Sequence, residues 1–320
     1  MYVRLILAFI ISLILVLIGM PKLIDYLKKI SFNQTVSEYS LKEYKEKAKT
    51  PTMGGILFIV VPIIVTLFLA KGVLADLKMI VILLSFAGYG LIGFIDDYII
   101  VIKRDNEGLR PKQKFIMQLL LAIIFFIIYR NNVSLDITIP IIKVVLPLSW
   151  LYSILVFFMF TGASNAVNLT DGMDGLAAGC SFISYIAFLI IALCMKEYQV
   201  AIFISSLLGA LLGYLHYNVS PAKIFMGDTG SLALGAGFAA IAMVLKQELL
   251  LIIIGGVFVW ETLCVIIQIS SVKIRKKRVF KYTPIHYSFV LDGISEKRVV
   301  RSFWLLSLIC AVIGLVVYFI

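Results

Sequence analysis

Five aspartates have the types and spacing of a catalytic set. Asp96 and Asp97 are adjacent in Gly93-Phe94-Ile95-Asp96-Asp97-Tyr98, at the end of an apolar run. Asp171 and Asp174 share the stretch Asn165 to Gly175 with Asn165, Asn168 and Thr170. Asp228 follows Phe225, Met226 and Gly227 and precedes Thr229, Gly230 and Ser231. Each motif also has a plain structural reading. A carboxylate pair at a membrane boundary is costly unless partnered, and a solvated helix end would relieve it. Asp228 could be a helix N-cap. The stretch 165–175 could be a polar loop, although its glycines also permit close backbone approach to a ligand. A helix beginning near 228 would offer free N–H groups to an anion. Taken together, five carboxylates suit Mg²⁺, which takes hard oxygen ligands, usually one or two carboxylates plus substrate phosphates and waters. With two histidines and no clustered cysteines, zinc is disfavoured.

Basic residues flank these acids. Lys45, Lys47 and Lys49 precede Thr50-Pro51-Thr52-Met53-Gly54-Gly55. Arg110, Lys112 and Lys114 follow the aspartate pair, and Arg275 to Arg278 and Lys281 precede His286. Membrane topology accounts for most of them, and a minority could bind phosphate. Metal-seeking acids beside phosphate-seeking bases point to phosphoryl transfer involving a membrane-embedded substrate. No Walker A or protein-kinase signature is present, which argues against an ATP-driven machine. His216, beside Tyr217 at a span end, reads as an interfacial residue. His286, within a basic loop, reads as functional.

The elements that must position these groups are membrane helices. Of the 320 residues 62% are hydrophobic and 15% charged, with mean hydropathy +1.05. A soluble domain carries roughly 45–50% apolar and about 25% charged residues. The expected class is therefore an all-α polytopic membrane protein, one domain over residues 1–320, with about ten transmembrane helices. The apolar runs place spans at Val3–Met20, Met53–Ala70, Met79–Ile95, Phe115–Tyr129, Leu146–Phe160, Leu176–Met195, Val200–Leu215, Leu232–Leu245, Leu249–Ile269 and Phe303–Ile320. The first run lacks a cleavage site and is expected to be retained. Most of the 29 Lys and Arg fall in the loops after spans one, three and nine. Those loops are expected in the cytosol, with both termini extracytoplasmic. Every polar motif then falls on the cytoplasmic face. The net charge of +11 fits that surface and a polyanionic substrate, and implies no nucleic-acid partner. Cys180, Cys194, Cys264 and Cys310 lie in apolar runs and are expected to be small buried hydrophobes.

The motifs, in this order, resemble those of the phospho-N-acetylmuramoyl-pentapeptide-transferase family, within the polyprenyl-phosphate N-acetylhexosamine-1-phosphate transferase superfamily. The matching stretches are Thr50 to Gly55, Gly93 to Tyr98, Asn165 to Gly175, Phe225 to Ser231 and Pro284-Ile285-His286. The resemblance implies a multi-pass enzyme of the bacterial inner membrane, acting in peptidoglycan synthesis. Its reaction would join undecaprenyl phosphate and UDP-N-acetylmuramoyl-pentapeptide into lipid I, releasing UMP with Mg²⁺ as cofactor. It implies catalytic roles for Asp96, Asp97, Asp228 and His286. Asp228 would be the metal ligand, and one of the pair, Asp96 by preference, would deprotonate the lipid phosphate. Asn165, Asn168, Asp171, Asp174, Asn218 and Phe225 would line the nucleotide site, with Phe225 stacking on uracil. Lys47, Thr50 and Lys112 would meet phosphates. A homodimer and a break in the ninth span are also implied, with Gly255-Gly256 as a weak point.

The chain departs from the family in two places. Most members carry three consecutive histidines where this one has His286, Tyr287 and Ser288, and tyrosine cannot be a cation at neutral pH. Ile100 stands where many have a basic residue. A sister transferase moving N-acetylglucosamine-1-phosphate onto the same lipid would share the acids and differ at the sugar pocket. A transporter would prefer mid-span charge, and Glu261 is the one acid found there.

Overall fold

The computed structural model describes residues 1–29, 50–103, 108–130 and 134–320. Its elements in chain order are α1 (Tyr2–Lys29), α2 (Gly55–Leu69), α3 (Leu77–Lys103), α4 (Pro111–Arg130), β1 (Asp136–Ile139), β2 (Val144–Pro147), α5 (Leu151–Thr170), α6 (Leu176–Cys194), α7 (Tyr198–Asn218), α8 (Gly227–Val244), α9 (Glu248–Ile254), α10 (Gly256–Arg275), α11 (Ile285–Leu291) and α12 (Glu296–Phe319). Among the described residues nine helices are long and apolar enough to cross a membrane, and α2 is an apolar helix of 15 residues. The chain is a multi-pass, largely α-helical membrane protein.

The centre of the bundle is α8. It is buried from Thr229 to Val244 on every side, so it needs small residues to let neighbours approach. It carries Gly230, Ala233, Gly235, Ala236, Gly237, Ala239 and Ala240. A Cβ at Gly235 would overlap the backbone of α5 at Ala163 and Ser164, and one at Gly93 of α3 would overlap the backbone of Asp228. The first helix packs on α7 by the same device, with Gly209 against the Phe9 backbone and Ser12 hydrogen-bonded to Ser206 at 2.6 Å. Cys180 and Cys264 are buried, Cys310 is half-buried and Cys194 is exposed at the end of α6, so the expectation of four buried thiols fails at Cys194.

Several span boundaries are corrected. Helix α3 continues past Ile95 to Lys103, because residues 96–103 contain neither glycine nor proline to stop it. The fifth span does not begin at Leu146. Residues 136–147, rich in β-branched side chains and interrupted by Pro140, form an antiparallel hairpin pairing Asp136 with Pro147 and Ile139 with Val144. The helix runs instead from Leu151 to Thr170. In its polar end the Thr161 and Thr170 hydroxyls are satisfied within the helix, donating to carbonyls one turn back at 2.7 and 2.8 Å. The ninth span is broken at Gly255 into α9 and α10, at the weak point expected from the two glycines. Gly256 faces α12, where a Cβ would meet Cys310 Sγ at 2.8 Å. These shifts carry Asp96, Asp97 and Asn168 onto helices and Asp228 into the first turn of α8.

Candidate active site

Successive residues on a helix point about 100° apart, so Asp96 and Asp97 address different partners. Asp97 turns into the N-terminus of α8. One oxygen accepts the Asp228 N–H at 3.1 Å; the other accepts the Thr229 N–H at 2.9 Å and the Thr229 hydroxyl at 2.6 Å. The first turn of a helix leaves N–H groups unsatisfied, and no side chain of α8 caps them. Asp97 therefore does so from the neighbouring helix. The approach needs glycine on both sides, at Gly93 and at Gly227, whose φ is +69° and whose Cβ would strike Asp97 and Thr52.

Asp96 faces the cluster. Its Oδ1 accepts the Leu109 N–H at 2.7 Å, and its Oδ2 lies 3.6 Å from Lys114 Nζ. Lys114 is also ion-paired with Asp228, whose other oxygen accepts from Asn168 Nδ2 at 2.6 Å. Asn168 donates as well to Ser231 Oγ at 2.9 Å. The result is a carboxylate–ammonium–carboxylate bridge across α3, α4 and α8. Lys112, two positions from Lys114, projects to the opposite side of α4 and is exposed. Among the described residues no three acidic, histidine or cysteine side chains close into a metal cage. Two hard carboxylates already sharing one cation nevertheless fit Mg²⁺, which completes its shell with phosphate and water oxygens.

Asp171 is half-buried at the C-terminal end of α5, and its carboxyl is pushed up to about 8, first by burial and then by the charges of Asp228, Asp97 and Asp174. Asp174 and Asn218 are buried struts. Asp174 Oδ2 accepts the Ala222 N–H at 3.1 Å. Asn218 accepts the Gly175 N–H at 3.1 Å and donates to the Ile224 carbonyl at 2.9 Å. They tie the 171–175 loop to the segment leading to Phe225, which is half-buried. Thr50 is half-buried at the start of a strand-like segment. There Pro51 O accepts the Phe225 N–H at 2.9 Å, and Phe225 O accepts the Gly54 N–H at 2.8 Å. Asn165 lies apart from the acids, donating to Gln118 Oε1 at 3.0 Å and Thr161 O at 2.7 Å. Lys47 lies outside the described residues.

His286 joins the site from α11. Its ring is fully buried, with Nδ1 2.9 Å from Glu261 Oε1 on α10, while Glu261 Oε2 accepts the Ile285 N–H at 2.8 Å. Nε2 faces Gly172, and Tyr287 donates its hydroxyl to the Gly172 carbonyl at 3.0 Å. The divergent tyrosine thus clamps the aspartate loop. His216 is exposed, its ring edge-on to Tyr217 at 4.8 Å, as an interfacial residue would be. Lys114 and Glu261 are the groups that sequence reasoning did not assign. The helical spacing of Lys112 and Lys114 and the isolation of Glu261 in an apolar span were the available signals.

Residues 79–246 match the family described as glycosyl transferase family 4, and residues 47–59 match phospho-N-acetylmuramoyl-pentapeptide-transferase signature 1. Among curated proteins, the phospho-N-acetylmuramoyl-pentapeptide-transferases of Bacillus cytotoxicus, Bacillus mycoides and Bacillus thuringiensis are each 50% identical over 297 residues. Each alignment covers 92% of this chain and 92% of the relative.

Two outcomes follow from the geometry. Lys114→Met leaves two facing carboxylates without their cation and should cost about 3–5 kcal/mol, read as a lower melting temperature in detergent. Adding Asp228→Asn to that variant should restore part of the loss; no recovery would contradict the bridge. Asp171 holds its proton to about pH 8 when folded, whereas an unfolded aspartate releases it near about 3.9. The stability it contributes is therefore complete below about pH 4 and is lost as pH rises towards 8. Without Mg²⁺, melting temperature against pH should be flatter over that window in Asp171→Asn than in the parent, and equal slopes would refute the assignment.

Proposed function

We propose the function from a firm premise: the chain belongs to the phospho-N-acetylmuramoyl-pentapeptide-transferase family, as identity over nearly its whole length shows. It transfers phospho-N-acetylmuramoyl-pentapeptide from the UDP-linked donor to undecaprenyl phosphate in peptidoglycan synthesis, giving lipid I and UMP. The observation that carries this reading to the residues is the meeting of Asp96, Lys114 and Asp228 beside the Asp171 loop.

The reaction exchanges one phosphoanhydride for another. An oxygen of the lipid phosphate bonds to the sugar-bearing phosphorus of the donor, and the bond from that phosphorus to the bridging oxygen breaks, so that UMP leaves with the bridging oxygen. Such a transfer depends on charge neutralisation and in-line positioning. Asp96 takes the remaining proton of the lipid phosphate. Asp97, its oxygens engaged by α8, holds Asp228 in place. Asp228, with Asp96 beside it, would hold Mg²⁺, which when bound would supply positive charge against that growing on the departing UMP. Lys114, paired with Asp96 and Asp228, adds a positive charge to the same cluster. Asn168 fixes the Asp228 carboxylate, while Asp171 and Phe225 face the nucleotide, Phe225 stacking on uracil. Asp174 and Asn218 shape that pocket, Asn165 acts through the α4–α5 contact, and Lys47, Thr50 and Lys112 guide phosphates.

An apolar cavity of about 280 Å³ between α5, α8, α9 and α10 is lined by Phe158, Gly162, Val167, Phe238, Ile252 and Val259, among others. Val167 is next to Asn168, so a prenyl chain held there would bring its phosphate to the acids. The distribution of Lys and Arg supports an acidic end in the cytosol and both termini outside, and the bacterial origin of the relatives accords with the inner membrane. A homodimer accords with the family resemblance.

UMP release by the purified protein with Mg²⁺ and undecaprenyl phosphate tests the reading. Turnover is expected with UDP-N-acetylmuramoyl-pentapeptide and not with UDP-N-acetylglucosamine, and should be lost in Asp228→Asn. Turnover with the glucosamine donor alone would move the assignment to the sister transferase. No Mg²⁺-dependent release with either donor would defeat both.

A further inference from the structure

Helix α4 begins beside the acids and α5 ends there, so the hairpin between them lies at the opposite membrane surface. One strand is held. Ile137 of β1 is buried, β1 packs on α9, and the Ser134 carbonyl accepts from Lys246 Nζ at 3.2 Å. Lys246 is paired in turn with Glu248 at 2.8 Å, and Glu248 accepts the Tyr152 hydroxyl at 2.5 Å. The hairpin, α5 and α9 thus meet in one polar contact. The other strand is bare. All four residues of β2 are exposed, on both faces. At the tip Ile141 is 58% exposed and Ile142 63%, and Trp150, just before α5, is 68% exposed. Ile141 has φ +71°, a left-handed backbone that a β-branched residue rarely takes. A turn facing water would gain nothing from isoleucine there, and a two-stranded hairpin is marginal in water.

The bare surface is continuous with the surface that faces lipid. Trp150, Leu151, Ile154 and Phe158 form an exposed stripe along one face of α5, and the hairpin prolongs it past the start of the helix. A tryptophan at the head of a span and a lysine, Lys143, beside an apolar tip are residues suited to the boundary between lipid and water. The backbone limits the depth. Strand β2 pairs with β1 alone, so its outer edge carries N–H and C=O groups that hydrocarbon would leave unsatisfied and that water among the headgroups can satisfy. We propose that the β1–β2 hairpin is an interfacial lipid-binding element. Ile141 and Ile142 reach the upper acyl chains of the leaflet opposite the acids, Lys143 meets lipid phosphates, and the backbone stays at headgroup level. Helices α5 and α9 also wall the apolar cavity, so this anchor sets the depth at which those walls begin.

Tryptophan fluorescence of the full-length protein in phosphatidylcholine nanodiscs, which leave both membrane surfaces open to solutes, tests this. The chain has three tryptophans. The emission lost in Trp150→Phe reports the start of α5, and the emission gained in Ile142→Trp reports the tip of the hairpin. Both differences should be quenched by lipids brominated just below the headgroup, less by lipids brominated at the chain end, and hardly at all by iodide in the buffer. Quenching of the tip by iodide and not by brominated lipid would show a hairpin standing in water and would overturn the proposal. Quenching of the tip by neither would show it covered by protein, a second copy of the chain included, and would overturn it as well. Deeper quenching by the chain-end bromines would contradict a backbone at headgroup level. The Trp150 reading needs only a conservative change at an exposed site, so it stands even if the tip variant fails to fold; a Trp150 quenched by iodide alone would remove the continuity on which the proposal rests. None of these readings involves turnover, so they succeed or fail independently of the transferase reading.

Discussion

The first turn of α8 presents N–H groups that the helix cannot satisfy, and α8 carries no capping side chain of its own. The carboxylate that satisfies them belongs to α3. Through three hydrogen bonds Asp97 joins the N-terminus of the most buried helix to its neighbour, and a charge at a helix N-terminus is favourable on its own account. This contact fixes where Asp228 points. One residue along α3, Asp96 then faces the same space from the other side, and Lys114 fills it. Two adjacent aspartates with similar sequence surroundings acquire separate partners, Leu109 and Lys114 for Asp96 and the α8 terminus for Asp97, because helix geometry turns them in different directions.

That contact depends in turn on glycine. Asp97 can reach the α8 terminus only because Gly93 and Gly227 let the two backbones close to a separation that no side chain would permit. The same economy recurs where the other parts of the site meet. Gly54 and Gly55 lie against Phe225, Met226 and Gly230, and Gly172 lies beneath His286 and Tyr287. The glycines in the motifs therefore do more for the approach of one protein segment to another than for loop freedom. Burial then sets the electrostatics: the acids are close, poorly solvated and mutually repulsive, which is the condition a bound cation relieves.

The sequence revealed much of this and concealed the rest for identifiable reasons. Among the described residues the apolar runs correspond to nine helices long enough to cross a membrane and to the shorter α2, because a lipid solvent imposes length and composition on each. Their ends were less legible. Apolarity marks where a helix leaves the membrane and not where its hydrogen bonding stops, so α3 and α5 ran on through their polar motifs. The 136–147 hairpin was hidden inside a run that is apolar yet β-branched and interrupted by proline. The chemical identities of the site were plain in its motifs, but their partners were not. Asp174 and Asn218 appear as ligand-facing groups in one dimension, and in three they tie loops together. Lys114 and Glu261 were visible as residues, but only the crossing of α4 and α10 over the acids and the histidine gives them partners.

The most direct test of this account is amide hydrogen exchange over Met226–Val244 in the parent and in Asp97→Ala, in lipid. If Asp97 caps α8, the Asp228 and Thr229 amides are protected in the parent and exchange rapidly in the variant, while Leu232 to Val244 stay protected in both. Unchanged protection at Asp228 and Thr229 would mean that something other than Asp97 holds the helix terminus, and the assembly of the site would need a different foundation.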